Sequence, residues 1–250
     1  MIRYFVTLSY NGRNYVGWQI QPNGISVQQV MQDALSLILR DTVSITGAGR
    51  TDAGVHARRM VAHFDWDGPS FDAEVLVSKL NSYLPKDLLV LSIQPVKPDV
   101  HARFSALSRT YSYHITTRKD PFLHELKYHL HFQPDLERMN QMCAVLREYN
   151  DFTSFSKLHT DVKTNLCQIK SARWERKENH QFEFTISADR FLRNMVRAIV
   201  GTMLEVGRGR IDERGLRRII EAKNRNLAGD SVPGHALFLE EVIYPDDIWL

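Results

Sequence analysis

Arg58-Arg59-Met60-Val61-Ala62-His63-Phe64-Asp65-Trp66 sets Met60, Ala62, Phe64 and Trp66 on alternate positions, the period of a strand. The run before it, Gly47-Ala48-Gly49-Arg50-Thr51-Asp52-Ala53-Gly54-Val55-His56-Ala57, carries three glycines and a single acid near its tip. A dinucleotide-binding loop requires a helix after its glycines, and here a strand follows. Glycine is also missing where that fingerprint needs its third one, and Asp52 would repel a phosphate. An ordinary Asx-type turn needs neither three glycines nor a cation and an acid this close together. The run therefore reads as a strand-loop-strand unit that presents Asp52, with glycines letting the backbone take positive φ and a bulky substrate come near.

Outward from this loop, the first half alternates between strands and helices. Ile2, Tyr4, Val6, Leu8 and Tyr10 alternate, and Ser26 with Gln29 forms a capping box ahead of an amphipathic helix through Ile38. Val43 and Ile45 lead into the Asp52 loop, Asp72 to Leu84 reads as a helix stopped by Pro85, and Leu88 to Val96 as a short strand. In the second half the patterns predict a long strand over Arg103–Ile115 and a helix over Pro134–Tyr149. A hairpin follows from Gln168 to Ala188 through Lys177-Glu178-Asn179-His180, then a helix over Phe191–Val206 and one capped by Asp212 that runs to Ala222. Leu237 to Tyr244 reads as a closing strand. Thr117 to His131 reads as an ordered insertion. The economical architecture is α+β in two lobes, a mixed or antiparallel sheet with helices packed on it.

A chain of 250 residues, 43% hydrophobic, buries a real core as one large domain or two small ones. Cys143 and Cys167 are too few for a zinc site and too isolated for a disulfide framework, which fits a reducing cytosol. No apolar run reaches membrane-spanning length, and the first residues lead into a strand instead of a signal peptide, so a cytoplasmic location is expected. Net charge is +3, but ten Arg and Lys stand against five acids between Asp189 and Arg225. That excess reads either as a solvated helix face or as an RNA-facing surface. His129 and His131 alternate on a strand with no third ligand nearby, which is weak support for a metal, and no metal site is expected.

The Gly47–Ala57 run resembles the active-site motif of the tRNA pseudouridine synthases of the TruA family. Tyr10-Asn11-Gly12, Gly17-Trp18-Gln19 and Val27-Gln28 are similar to that family's amino-terminal motif. His101-Ala102-Arg103-Phe104-Ser105-Ala106 with Arg109-Thr110-Tyr111-Ser112-Tyr113 is similar to its second region. Asp151-Phe152-Thr153-Ser154-Phe155 and Phe191-Leu192-Arg193-Asn194-Met195-Val196-Arg197, ending at Gly201, resemble two later ones. Asn11 stands where the family usually has Asp, and Ala236-Leu237 where it has Gly-Leu.

The resemblance implies a pseudouridine synthase fold with an active-site cleft between lobes. Residues 1–105 would form an α/β lobe carrying the catalytic loop, and 106–250 an α/β lobe with a basic RNA-facing helix. It implies isomerisation of uridine on the 3′ side of the tRNA anticodon stem-loop, at tRNA positions 38, 39 and 40, by a homodimer without a cofactor. Asp52 would be the nucleophile, by adding to C1′, adding to C6 of uracil or taking a sugar proton. Arg197 matches the cation that keeps this carboxylate charged. Tyr111 matches the tyrosine that stacks on uracil. Arg50 would enter the space a flipped base vacates, or else make a phosphate or carboxylate contact within the loop. Arg193 is a substrate-binding candidate, and His56 is either a substrate contact or a loop-packing histidine. A binding protein of the same fold without catalysis would not need the Asp52 loop. A nucleoside or glycoside hydrolase would need a second, opposed acid, and none is identifiable.

Overall fold

The computed structural model describes residues 1–157, 164–178 and 180–250. The chain divides into two compact units, residues 1–107 with 239–250, and residues 108–238. The carboxy-terminal residues thus count with the first unit, whereas the linear reading keeps all of 106–250 in the second.

In the first unit β1 (Ile2–Tyr10) is the middle of an antiparallel set, paired with β3 (His56–Trp66) on one side and β4 (Leu88–Val96) on the other. A two-residue β2 (Thr46–Gly47) joins β3, and β9 (Leu237–Ile243) lies next to β3 in strand order. Helix α1 (Val27–Leu39) starts at Ser26, whose hydroxyl accepts from the Gln29 amide, and buries Val27, Met31, Ala34 and Leu35. Helix α2 (Ala73–Tyr83) starts at Asp72 and buries Leu76 and Leu80. The carboxy-terminal tail fastens this unit. The Tyr244 hydroxyl donates to the Ala102 carbonyl at 2.5 Å, Leu107 N to Ile243 O, Lys97 N to Ile248 O and Leu250 N to Pro95 O.

In the second unit β5 (Ser108–Thr116), β8 (Gln181–Ala188) and β7 (Ile169–Lys177) pair antiparallel in that order. A short β6 (Tyr128–His129), within the expected insertion, adds to β5 in parallel. The sheets are thus mixed and mostly antiparallel, as expected, and Asn179 of the expected hairpin turn lies outside the described residues. Helices α3 (Leu136–Leu146), α4 (Met195–Gly207) and α5 (Glu213–Glu221) complete the unit, and Asp212 caps α5 through the Gly215 amide.

Two boundaries differ most from the sequence reading. The strand expected from Arg103 begins at Ser108. Before it, His101 and Ser105 occupy the backbone donors that a ladder would need: His101 N donates to Ser105 Oγ and Arg103 N to His101 Nδ1. The helix expected from Phe191 begins at Met195, because Asn194 takes a left-handed φ of 67° and breaks the helical path ahead of it. Eleven of the thirteen residues of α4 are buried, so it is a core helix and cannot be the exposed basic one. Only Arg197 and Glu205 on it reach solvent.

Candidate active site

The three glycines of the Asp52 loop serve different needs. Gly54 has φ +77°, a turn that a side chain would strain. A Cβ on Gly47 would fall 2.4 Å from the Trp18 indole nitrogen, so the ring itself demands glycine there. Gly49 meets nothing within 4 Å of a built Cβ and stands in open space. Ala48 N donates to Val61 O at 2.7 Å and ties the incoming strand to β3. Asp52 is partly exposed and Arg50 exposed, while Thr51 and Val55 are buried around them.

One other segment, residues 10–18, grips this loop. Trp18 N donates to Thr51 O at 3.3 Å and Gly54 N to Tyr15 O at 3.3 Å. Gly12 N donates to His56 Nδ1 at 3.0 Å, and the Tyr10 and Thr51 hydroxyls share a hydrogen bond of 2.9 Å. Cβ atoms on Gly12 and Gly17 would lie 1.9 Å from Val55 O and 2.3 Å from Thr51 O, so backbone rests directly on backbone. Asp87 holds the gripping segment in turn, accepting from the Tyr15 hydroxyl at 2.7 Å and from Asn14 Nδ2 at 3.0 Å. Burial and this carboxylate push the Tyr15 phenol above its ordinary range. Asn11 accepts from Arg13 N through its side-chain oxygen, a bond that an Asp would make equally well.

His56 is only 2% exposed, and the Gly12 amide bonded to its Nδ1 sets that nitrogen as an acceptor. Of its two readings, these facts favour loop packing.

Tyr111, Arg193 and Arg197 all belong to the second unit. Tyr111 is half-buried on β5, opposite Ile186, with its ring edge-on to Phe191 at 5.2 Å. Arg197, in the first turn of α4, donates from Nε to Val232 O at 2.7 Å, and its own carbonyl accepts from Val232 N. The strap that contains Val232 is fitted closely to α4. Gly229 N donates to Thr202 Oγ1 at 2.9 Å and Asn194 Nδ2 to Ser231 Oγ at 2.6 Å, and a Cβ on Gly201 would lie 1.8 Å from Asp230 O. Arg193 is exposed, and its carbonyl accepts from Lys157 N. The Asp151–Phe155 motif is structural: Phe152 and Phe155 are core residues, and Ser154 Oγ donates to Ile219 O at 2.6 Å, anchoring α5.

The candidates therefore fall into two sets, Arg50, Asp52 and His56 in the first unit and Tyr111, Arg193 and Arg197 in the second. The 189–225 cation excess is partly offset by acids outside that stretch, since Arg217 pairs with Glu148 and Lys223 with Asp151, while Arg197 and Arg225 are held by uncharged carbonyl oxygens and keep their full charge. Residue-level reading did not give the gripping segment a job, although the density of Tyr, Gly and Trp over 10–18 was a signal. It missed the 229–232 strap altogether; only its glycine and short polar side chains hint at close packing. Among the described residues no three His, Cys, Asp or Glu side chains converge as metal ligands, and the His129 and His131 rings meet edge to face at 4.6 Å. No helix among them is long and apolar enough to cross a membrane.

A family model described as tRNA pseudouridine synthase matches residues 7–105 and 149–245. Asp52, Arg50, His56, Arg193 and Arg197 lie in the matched stretches, and Tyr111 lies between them. The chain is 61% identical over 249 residues to tRNA pseudouridine synthase A of Parabacteroides distasonis, covering 100% of this chain and 98% of the relative. It is 55% identical over 247 residues to the protein of that name from Bacteroides fragilis, covering 99% and 98%. It is 37% identical over 241 residues to tRNA pseudouridine synthase A 2 of Clostridium perfringens, covering 96% and 98%. A clamped carboxylate loop of the expected sequence, inside a chain related along its whole length to such enzymes, places this protein in the tRNA pseudouridine synthase A family of isomerases.

Proposed function

We propose that this protein isomerises uridine to pseudouridine on the 3′ side of the tRNA anticodon stem-loop, at tRNA positions 38, 39 and 40, with Asp52 as the nucleophilic carboxylate. The observation that carries this reading is the Asp52 loop, a partly exposed carboxylate on a backbone fixed from both sides. The C1′–N1 bond breaks, the uracil turns, and C5 bonds to C1′. C5 gives up a proton and N1 gains one, so substrate and product are isomers and the balance needs no co-reactant. A fixed carboxylate serves the electron-poor ribose carbon this bond exchange creates.

In this reading Arg197 balances the charge of the reacting site. Tyr111 stacks on the uracil, and Arg50 occupies the space of the flipped nucleotide. Arg193 takes a phosphate, and His56 supports the loop from within. The protein works in the cytoplasm as a homodimer, one tRNA touching both subunits, a reading supported by family resemblance. The deciding experiment maps pseudouridine in tRNA from a strain lacking this protein, complemented with wild type or Asp52→Ala. Loss of the three anticodon-arm modifications, restored by wild type alone, is expected; an unchanged map overturns the proposal.

A further inference from the structure

Thr51, the residue before Asp52, is held at two points. Its carbonyl receives the Trp18 amide, with the Gly17 backbone pressed against it, and its hydroxyl meets Tyr10 at 2.9 Å. The first hold is main chain to main chain, which any residue at 51 could satisfy. The second needs two particular side chains, and they are only 3% and 8% exposed. Two buried hydroxyls bonded to each other stabilise a fold little more than apolar groups of the same shape would. Stability alone thus gives small reason for a Tyr and a Thr at these positions. A directional bond does something that an apolar contact cannot: it selects one rotamer of Thr51 and one path for the backbone that enters Asp52.

We propose that Tyr10 and Thr51 are positioning residues for the catalytic carboxylate, their hydroxyl pair fixing the direction in which Asp52 is presented. The inference rests on Asp52 being the carboxylate of uridine isomerisation. Neither hydroxyl takes part in bond exchange. Their effect therefore belongs to the chemical step, while tRNA capture depends on dispersed contacts elsewhere.

The test uses the full-length protein and an unmodified tRNA transcript, with kcat, KM and Tm measured for Tyr10→Phe, Thr51→Val, the double variant and Thr51→Ser, alongside Asp52→Ala. Loosening a reacting group by a fraction of an ångström costs about tenfold in rate when 1 Å costs about a hundredfold. Tyr10→Phe and Thr51→Val should each lose about tenfold in kcat, with KM within about twofold. The double variant should be no slower than either single variant, because one bond is lost in all three. Thr51→Ser keeps the hydroxyl and should keep the rate. Unchanged kcat in Tyr10→Phe, losses confined to KM, or losses that multiply in the double variant overturn the proposal. If Thr51→Val does not fold, Tyr10→Phe and Thr51→Ser still decide it, the first having to lose rate and the second to retain it. An inactive wild type, or an Asp52→Ala variant that still turns over, would instead remove the functional reading underneath. An active wild type with inert Asp52→Ala and unimpaired Tyr10→Phe removes the positioning role alone.

Discussion

Replacing Gly201 by Ala sets two effects of opposite sign against each other. Gly201 lies inside α4, where alanine gains about 0.5–1 kcal/mol over glycine by restricting the unfolded chain. Against this, the new Cβ would stand 1.8 Å from Asp230 O, and the atoms it meets, Asp230 O, C and N, are backbone atoms that cannot rotate away. Regaining ordinary contact takes a displacement of about 1.5 Å, which the close packing of helix and strap does not absorb. The Gly229–Thr202 and Arg197–Val232 hydrogen bonds flank the clash and would both be lost. At about 1 kcal/mol for the first and about 1.5–3 for the one from a charged donor, the loss exceeds the helical gain. The expected net cost is about 2 kcal/mol, a fall in Tm of roughly 4–8 °C for a chain of this size. Freed from Val232, the Arg197 guanidinium loses its fixed direction, so single-turnover pseudouridine formation well below the variant's Tm should slow about ten- to hundredfold. Gly215→Ala is the control: its neighbours at 3.2 Å are side-chain atoms, and Tm should hold or rise. A Gly201→Ala variant as stable and as fast as wild type would refute both the steric argument and the part given to the strap.

Asp52→Ala should abolish pseudouridine formation while tRNA affinity, read by filter binding, stays within roughly tenfold, about 1.4 kcal/mol; residual turnover above about a tenth of wild type contradicts the nucleophile assignment. Gly49→Ala should fold with unchanged Tm, since its Cβ meets no atom within 4 Å, and should bind tRNA more weakly; unaltered affinity would mean that substrate does not approach there. His63 gives a pH dependence. Burial, with His101 and Arg3 nearby and Asp65 only partly compensating, pushes it down to about 4, and its Nδ1 accepts from Ala102 N. Because this lies below the unfolded value of about 6.5, the unfolded chain binds more protons between the two. Stability is therefore complete above about pH 6.5 and declines toward pH 4, by up to about 2 kcal/mol between pH 7 and pH 5. His63→Asn should flatten that slope in denaturant titrations, and parallel slopes in the two proteins would count against it.

The elements that were legible in sequence are those whose local signals agree with their surroundings. Ser26 and Asp212 cap the helices they were expected to cap, and the alternation in Ile2–Tyr10 and Arg58–Trp66 became paired strands. Where local bonding competed, periodicity misled. The apolar and aromatic run after Arg103 looked like strand, but His101 and Ser105 drew its backbone into a side-chain-bonded turn. Phe191 to Val206 looked helical throughout, and a left-handed Asn194 removed its first turn. In the site, Asp52 announced itself through its glycines. The partners of those glycines did not, because a Gly47 that makes room for Trp18 and a Gly54 that turns the chain are the same letter. Charge counting over 189–225 overestimated the cation excess, since it cannot tell that Arg217 and Lys223 pair with Glu148 and Asp151 outside that stretch.

The carboxy-terminal tail that fastens the first unit has a consequence for how the protein is made. Residues 1–107 leave the ribosome first, yet Tyr244, Ile248 and Leu250, which bond to Ala102, Lys97 and Pro95, come only after residues 108–238 have been synthesised. At about 5–20 residues per second, that interval lasts on the order of ten seconds. Throughout it, the Phe5 ring, which finally packs edge-on against Tyr244 and Trp249, has neither partner. Apolar surface uncovered for that long is exposed to aggregation until the tail arrives. A ribosome stalled before Tyr244 would leave the Asp52 loop fully translated on a unit still lacking the contacts of Tyr244, Ile248 and Leu250.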